Sequence, residues 1–277
     1  MTPNEDTTEV KAMKEFFGIG GYQRTPEGAY SWQHLTFVGL LMAAMVVLAV
    51  WLGRRNRHRD DRAKNRVLCW AAVLIDGFEL IKIALSCYNN HLDDGRWYEG
   101  ILYNLPLFLC SIQLITIPLA AFSRGRIRAA ALDFVAIFGL LGAVLGTVGA
   151  AQNYNAYPVL GFDNVVSGVT HCISGFAALY VFIAGLAGMK KQNIPITFGI
   201  VLAFGVAAFG VNKAADYNYM FLEQGDGTPY DILYNLVGGH PVLYPAAVIL
   251  LLLVYIALFY GAYYLLTHSR KKQPVTV

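Results

Sequence analysis

Apolar residues run along this chain in seven long blocks, over 35–53, 67–88, 100–122, 129–150, 165–188, 194–213 and 241–266. Each approaches the roughly 20 residues that carry an α-helix across the hydrocarbon of a bilayer. No period-two alternation of the kind that builds a β-barrel interrupts them. The pattern predicts an all-α fold: a polytopic membrane helix bundle of about seven transmembrane helices. It divides the chain into an extracytoplasmic N-terminal segment over 1–34, a seven-helix transmembrane domain over 35–266 and a basic cytoplasmic tail over 267–277. The sixth block ends early at Asn212, Lys213 and Asp216, and an aromatic, polar stretch follows it. No internal repeat points to a two-halved transporter.

The polar residues between blocks set the orientation. Arg54, Arg55, Arg57, Arg59, Arg62, Lys64 and Arg66 precede the second block, and Arg124, Arg126 and Arg128 follow the third. Lys190 and Lys191 follow the fifth, and Arg270, Lys271 and Lys272 the seventh. With an odd number of spans these all fall on one side. The other side carries only Lys11, Lys14, Arg24 and Arg96 as cations, so the positive-inside rule predicts the N-terminus outside and the C-terminus in the cytoplasm. The first basic run also suits anionic lipid head groups. Glu5, Asp6, Glu9 and Glu15 stand where a signal peptide has a basic start, so the first apolar block is expected to be retained.

Composition closes off other classes. With 56% hydrophobic and 14% charged residues and a mean hydropathy of +0.47, the chain is too apolar to be covered by polar surface in water. A net charge of +3, with no basic patch interleaved with aromatics, gives no footprint for nucleic acid. The four cysteines, at 69, 87, 110 and 172, have no ligand spacing, and neither do His58, His91, His240 and His268. No metal site and no cofactor is expected.

Charged and nucleophilic residues inside the blocks carry the candidate chemistry, because a charge in hydrocarbon costs roughly 2.5–3.5 kcal/mol on insertion scales. Asp76, Glu79 and Lys82 lie at i, i+3 and i+6 on one face of the second helix. They read either as a self-neutralised set that fixes helix rotation or as functional groups. In the third, Pro106 precedes Cys110 by about one turn, and His171 lies in the fifth. Counted from the outer ends, Cys110 is about 15 Å deep, Glu79 about 13 Å and His171 about 9 Å. If the helices adjoin, carboxylate, imidazole and thiol form an orienter, a base and a nucleophile of the kind that activates cysteine for acyl transfer. Otherwise Cys110 is a small hydrophobe and His171 a helix-to-helix hydrogen-bonding residue. His34, Asn212, Lys213 and Asn218 are further outer-side polar residues available to such a site.

The order of these residues resembles the YwaF-like integral membrane proteins, related to eukaryotic transmembrane protein 164. The likeness runs from Trp32-Gln33-His34-Leu35 through Glu79 to Leu105-Pro106-Leu107-Phe108-Leu109-Cys110-Ser111, then His171 and Asn218-Tyr219-Met220-Phe221-Leu222. Where family members commonly carry a second histidine this chain has Phe108. The eukaryotic relative is regarded as a lipid acyltransferase working through a cysteine and a histidine, and Cys110 and His171 are the positions here that look like them.

Together these readings predict a membrane-embedded lipid acyltransferase or acyl hydrolase with a Cys110–His171 pair and a thioester intermediate. Glu79 is expected to orient His171. Lys82, Asn104 or Lys213 are expected to hold an oxyanion or phosphate, and His34 and Asn218 to complete the substrate site. The partners are membrane phospholipid or lysophospholipid, and the membrane a bacterial plasma membrane. The competing reading is a transporter or small-molecule-binding protein with a polar cavity in the outer half of the bilayer. In a third, the buried charges serve assembly alone.

Overall fold

A computed structural model describes residues 3–271, so the end of the expected basic tail, from Lys272 onward, lies outside the described residues. The fold is all-α. In chain order its helices are α1 (Pro3–Phe17), α2 (Trp32–Asn56), α3 (Asp61–Asp94), α4 (Tyr98–Leu102), α5 (Gln113–Phe122), α6 (Gly125–Leu145), α7 (Ala151–Ala156), α8 (Phe162–Ile183), α9 (Ile194–Ala215), α10 (Asp231–Leu236) and α11 (Leu243–Lys271). Among the described residues there is no strand. Helices α2, α6, α8, α9 and α11 are long and apolar enough to cross a membrane. The 34-residue α3 is about 51 Å long, and its apolar run is broken by Asp76, Glu79 and Lys82.

The expectation of one continuous helix over 100–122 is corrected. Pro106 has no N–H to donate, and Asn104 turns its side-chain amide back onto the Gly100 carbonyl at 2.8 Å, closing off α4. Residues 103–112 follow as turns, and regular α-helix resumes only at Gln113. Irregular backbone at this depth is tolerable only where protein encloses it. It therefore leaves Cys110 on a loop inside the bundle, just before α5.

Helix α6 is the hub. Every residue from Ala130 to Gly139 is buried, and the helix packs on α5, α8 and α9, while α2 and α3 lean on α8 and α11 on α9. One apolar cluster joins α3, α5, α6 and α8 through Leu68, Ile117, Val135 and Tyr180. Another joins the Leu107 loop, α6, α9 and α11 through Phe134, Val201, Tyr219 and Val248. Small residues permit a close crossing: a Cβ at Gly139 would stand 2.7 Å from the Ser174 carbonyl of α8.

An acidic side chain is buried at the centre of this packing. Asp133 accepts from the Met189 backbone N–H at 2.9 Å, the Asn193 side-chain amide at 2.7 Å and the Tyr260 hydroxyl at 3.0 Å. Three donors make its burial tolerable and tie α6 to α11 and to the turn before α9.

The two ends of the bundle differ. At one end Asn56 donates to the Tyr180 hydroxyl, which donates to the Lys64 carbonyl, and Arg128 reaches Ala120 and Asn65. The clustered basic residues of 54–66, 124–128 and 190–191 all lie at the helix ends gathered here. At the opposite end Tyr22 donates to Asp163 at 2.7 Å, Glu27 accepts from the Val159 N–H at 2.7 Å, and Asn155 accepts from the Ala29 N–H at 2.8 Å.

Candidate active site

Cys110 and His171 come together against α6. Gly146 makes room for the ring, since a Cβ there would land on the imidazole of His171, while a Cβ at Gly142, one turn earlier, would meet the Cβ of Cys110 at 3.5 Å. The thiol and the imidazole lie close enough to act on each other. Both residues are half-buried.

The ring's far side fixes its tautomer. His171 Nδ1 lies 2.7 Å from the backbone carbonyl of Ser167, one turn back on α8. A carbonyl only accepts, so Nδ1 carries the hydrogen and donates it. In the neutral ring Nε2 then holds a lone pair, and it is Nε2 and Cδ2 that lie toward Gly146. An unprotonated imidazole nitrogen held beside a thiol is the arrangement that takes a proton from sulfur.

The acid expected to orient His171 does something else. Glu79 pairs with Lys82 at 2.7 Å, in a bridge whose side chains are only 10% and 16% exposed. His171 Nδ1 donates instead to the Ser167 backbone carbonyl. Lys82 stands close enough for its charge to act on both Cys110 and His171, and Asp76 lies half-buried where it feels Glu79.

The residues expected to bind substrate are dispersed. His34 is 0% exposed and stacked on Tyr154 at 3.7 Å; its Nδ1 accepts from the Tyr30 N–H at 2.9 Å, and its Nε2 lies 3.2 Å from the Thr147 carbonyl. With both nitrogens engaged it is a pin between α2 and the segment after α6, next to Gly146, and offers nothing to a ligand. Asn104 is spent on capping α4. Lys213 pairs with Glu223 at 2.6 Å with its side chain 51% exposed. Asn218 organises its own loop, accepting from the Glu223 N–H at 2.9 Å and donating to Asp226 at 2.5 Å. Of these, only Lys82 reaches the thiol electrostatically.

The two sequence motifs pack on each other. Phe108 lies 5.0 Å from Tyr219, 5.7 Å from Phe221 and 6.4 Å from Tyr217, ring centre to ring centre. The Tyr219 hydroxyl donates to the Leu102 carbonyl, and Asn212 grips the Tyr219 backbone by its N–H at 2.7 Å and its carbonyl at 3.0 Å. Met220 and Phe221 take φ of 55° and 56°, a left-handed region that costs non-glycine residues of order 1–3 kcal/mol. That turn brings Phe221 onto Tyr230 at 5.6 Å, and Tyr230 lies within electrostatic reach of Cys110. Sequence reasoning missed Ser167, Gly142, Gly146 and Tyr230. The Gly139-Gly142-Gly146 spacing was the one readable signal. Among the described residues no three His, Cys, Asp or Glu side chains gather as a metal site.

The TMEM164 family model matches residues 29–263, a stretch that contains every residue of this site. No curated protein and no solved structure matches the chain.

Proposed function

The chain belongs to the TMEM164 family, and from that footing we propose that this integral membrane protein is an acyl-transfer enzyme acting on phospholipid, with Cys110 as nucleophile and His171 as base. The observation that carries the reading is the His171 tautomer: Nδ1–H is committed to the Ser167 carbonyl, which leaves the basic nitrogen for the thiol.

In the first half-reaction His171 Nε2 takes the Cys110 proton and the thiolate sulfur attacks an acyl ester carbon. The C–S bond forms, the ester C–O bond breaks, and the imidazolium returns its proton to the departing alkoxide, releasing lysophospholipid. In the second half the hydroxyl of a different lysophospholipid, or water, gives its proton to His171 and attacks the thioester, restoring the thiol. Lysophospholipid as acceptor makes the protein an acyltransferase, and water makes it an acyl hydrolase. Lys82 is the cation suited to the developing oxyanion or to a phosphate, in exchange for its present partner Glu79.

The reading includes an orientation. The basic end of the bundle faces the cytoplasm, which sets the Cys110 pocket toward the outer leaflet; the membrane is taken as a bacterial plasma membrane, on the strength of compact loops. Acyl exchange between phospholipid and lysophospholipid by the purified protein tests the proposal. Loss of exchange in both Cys110→Ala and His171→Ala is expected, and undiminished exchange in either removes that residue from the mechanism.

A further inference from the structure

Helices α9 and α11 part on their outward side around an open groove of about 370 Å³. Leu202, Val206 and Phe209 of α9, Ile249 and Leu253 of α11, and Leu222 of the turn after α9 line it. No side chain in the lining can make a hydrogen bond, so a polar group placed there loses its water without compensation. Hydrocarbon is the chemistry that fits. Gly205 sets the depth, because a Cβ there would stand 2.5 Å from Cδ1 of Ile249. Along α11 the groove extends about 12 Å, from Pro245 to Leu253. Val206 on its rim is 75% exposed, on a helix apolar enough to cross a membrane, so the opening is lateral, toward lipid.

The groove abuts the packing that surrounds the cysteine loop. Leu222 closes one end of it and follows Phe221 directly; Phe221 stacks on Tyr230, the aromatic that lies within electrostatic reach of Cys110. Leu107, Leu222, Val201, Val248 and Leu252 belong to one apolar cluster, so the floor of the groove and the Cys110 loop are packed as a unit. We propose that the groove between α9 and α11 holds an acyl chain of a phospholipid, with the ester end toward Leu222. This rests on the acyl-transfer reading for what happens to the ester, and on the groove alone for the binding.

Photolabelling separates the two. The full-length protein is reconstituted with phosphatidylcholine carrying a diazirine in one acyl chain, irradiated, and the labelled peptides are mapped by mass spectrometry. Cys110→Ala serves as a chemistry-free form. In wild type and Cys110→Ala alike, label should be enriched in the α9 and α11 groove peptides over the exposed Leu40, Val46 and Val47 of α2 and Leu80 of α3. Val206→Trp, which fills the groove from its exposed rim, should lose the enrichment. Even labelling around the bundle overturns the proposal, whether or not Cys110 carries a thioester. Enrichment in a protein that never forms a thioester supports the groove and removes the acyl-transfer reading instead.

Discussion

The imidazole of His171 lies where the first side-chain carbon of any residue but glycine at position 146 would have to be. The fit is specific to that glycine, since a Cβ at Gly142 would meet Cys110 at an ordinary 3.5 Å. Misplacing a catalytic group by about 1 Å can cost roughly 100-fold. Gly146→Ala should therefore lower acyl exchange by one to two orders of magnitude, whereas Gly142→Ala should stay near wild type. Exchange assays on the two variants, with thermal unfolding to confirm the fold, check this.

The Glu79–Lys82 pair makes a prediction about stability distinct from one about rate. Removing one member of a well-buried pair costs about 3–5 kcal/mol, because the other charge is left unpaired. Glu79→Ala should approach that loss in denaturant titration, and Glu79→Gln with Lys82→Met should recover most of it. Because the Ser167 carbonyl holds His171, Glu79→Gln should leave the Nδ1–H tautomer of the imidazole, read by 15N NMR, unchanged. A changed tautomer would return the orienting role to Glu79.

Phe108 serves the aromatic packing with Tyr217, Tyr219 and Phe221. Truncation to Ala should cost on the order of 2 kcal/mol, below the 3–5 of a fully buried Phe, and should raise proteolysis within 216–230. Phe108→His should retain acyl exchange, since the proposed base is His171. If exchange then depended on the new imidazole and survived His171→Ala, the assignment of the base would be wrong.

The contacts around Glu27, at the end of the bundle opposite the basic clusters, are acid-sensitive. Burial alone would raise the Glu27 carboxyl, but hydrogen bonds from the Val159 N–H and its own N–H, together with the Arg24 guanidinium, outweigh it and hold the group below the usual carboxylate range. A depressed pKa contributes stability that is complete above the unfolded value of about 4.3 and is lost as pH falls through the folded one. Hydrogen exchange at the Val159 amide should accordingly gain protection, beyond its intrinsic pH dependence, as pH rises toward 5. Glu27→Gln should flatten that gain.

Much of the fold was legible because long apolar blocks admit one solution in a bilayer, and basic residues at alternate connections track the gathered helix ends. The break at 103–112 was only half visible. Pro106 announced a disturbance, but the turn of Asn104 onto Gly100 depends on a three-dimensional contact. Cys110 and His171 could be singled out as residue types at similar depth. Their partner could not, because the group that orients His171 is the Ser167 backbone carbonyl, and every residue has one. Depth alone suggested Glu79, and the nearer charge on its own helix, Lys82, claimed it. His34 misled for a related reason: a polar residue at a helix start looks available until Tyr30 and Thr147 are seen to take both its nitrogens. Asp133 went unnoticed although it is the only acid in its apolar run, a signal as strong as Glu79.

The most direct measurement is the mass of Cys110 after the protein is mixed with a phospholipid donor and quenched in acid before turnover completes. Wild type should carry one acyl group on the Cys110 peptide, released by neutral hydroxylamine, and His171→Ala should carry little or none over the same interval. An unmodified Cys110 in a wild-type protein that is exchanging acyl chains, or equal acylation without His171, would contradict the account.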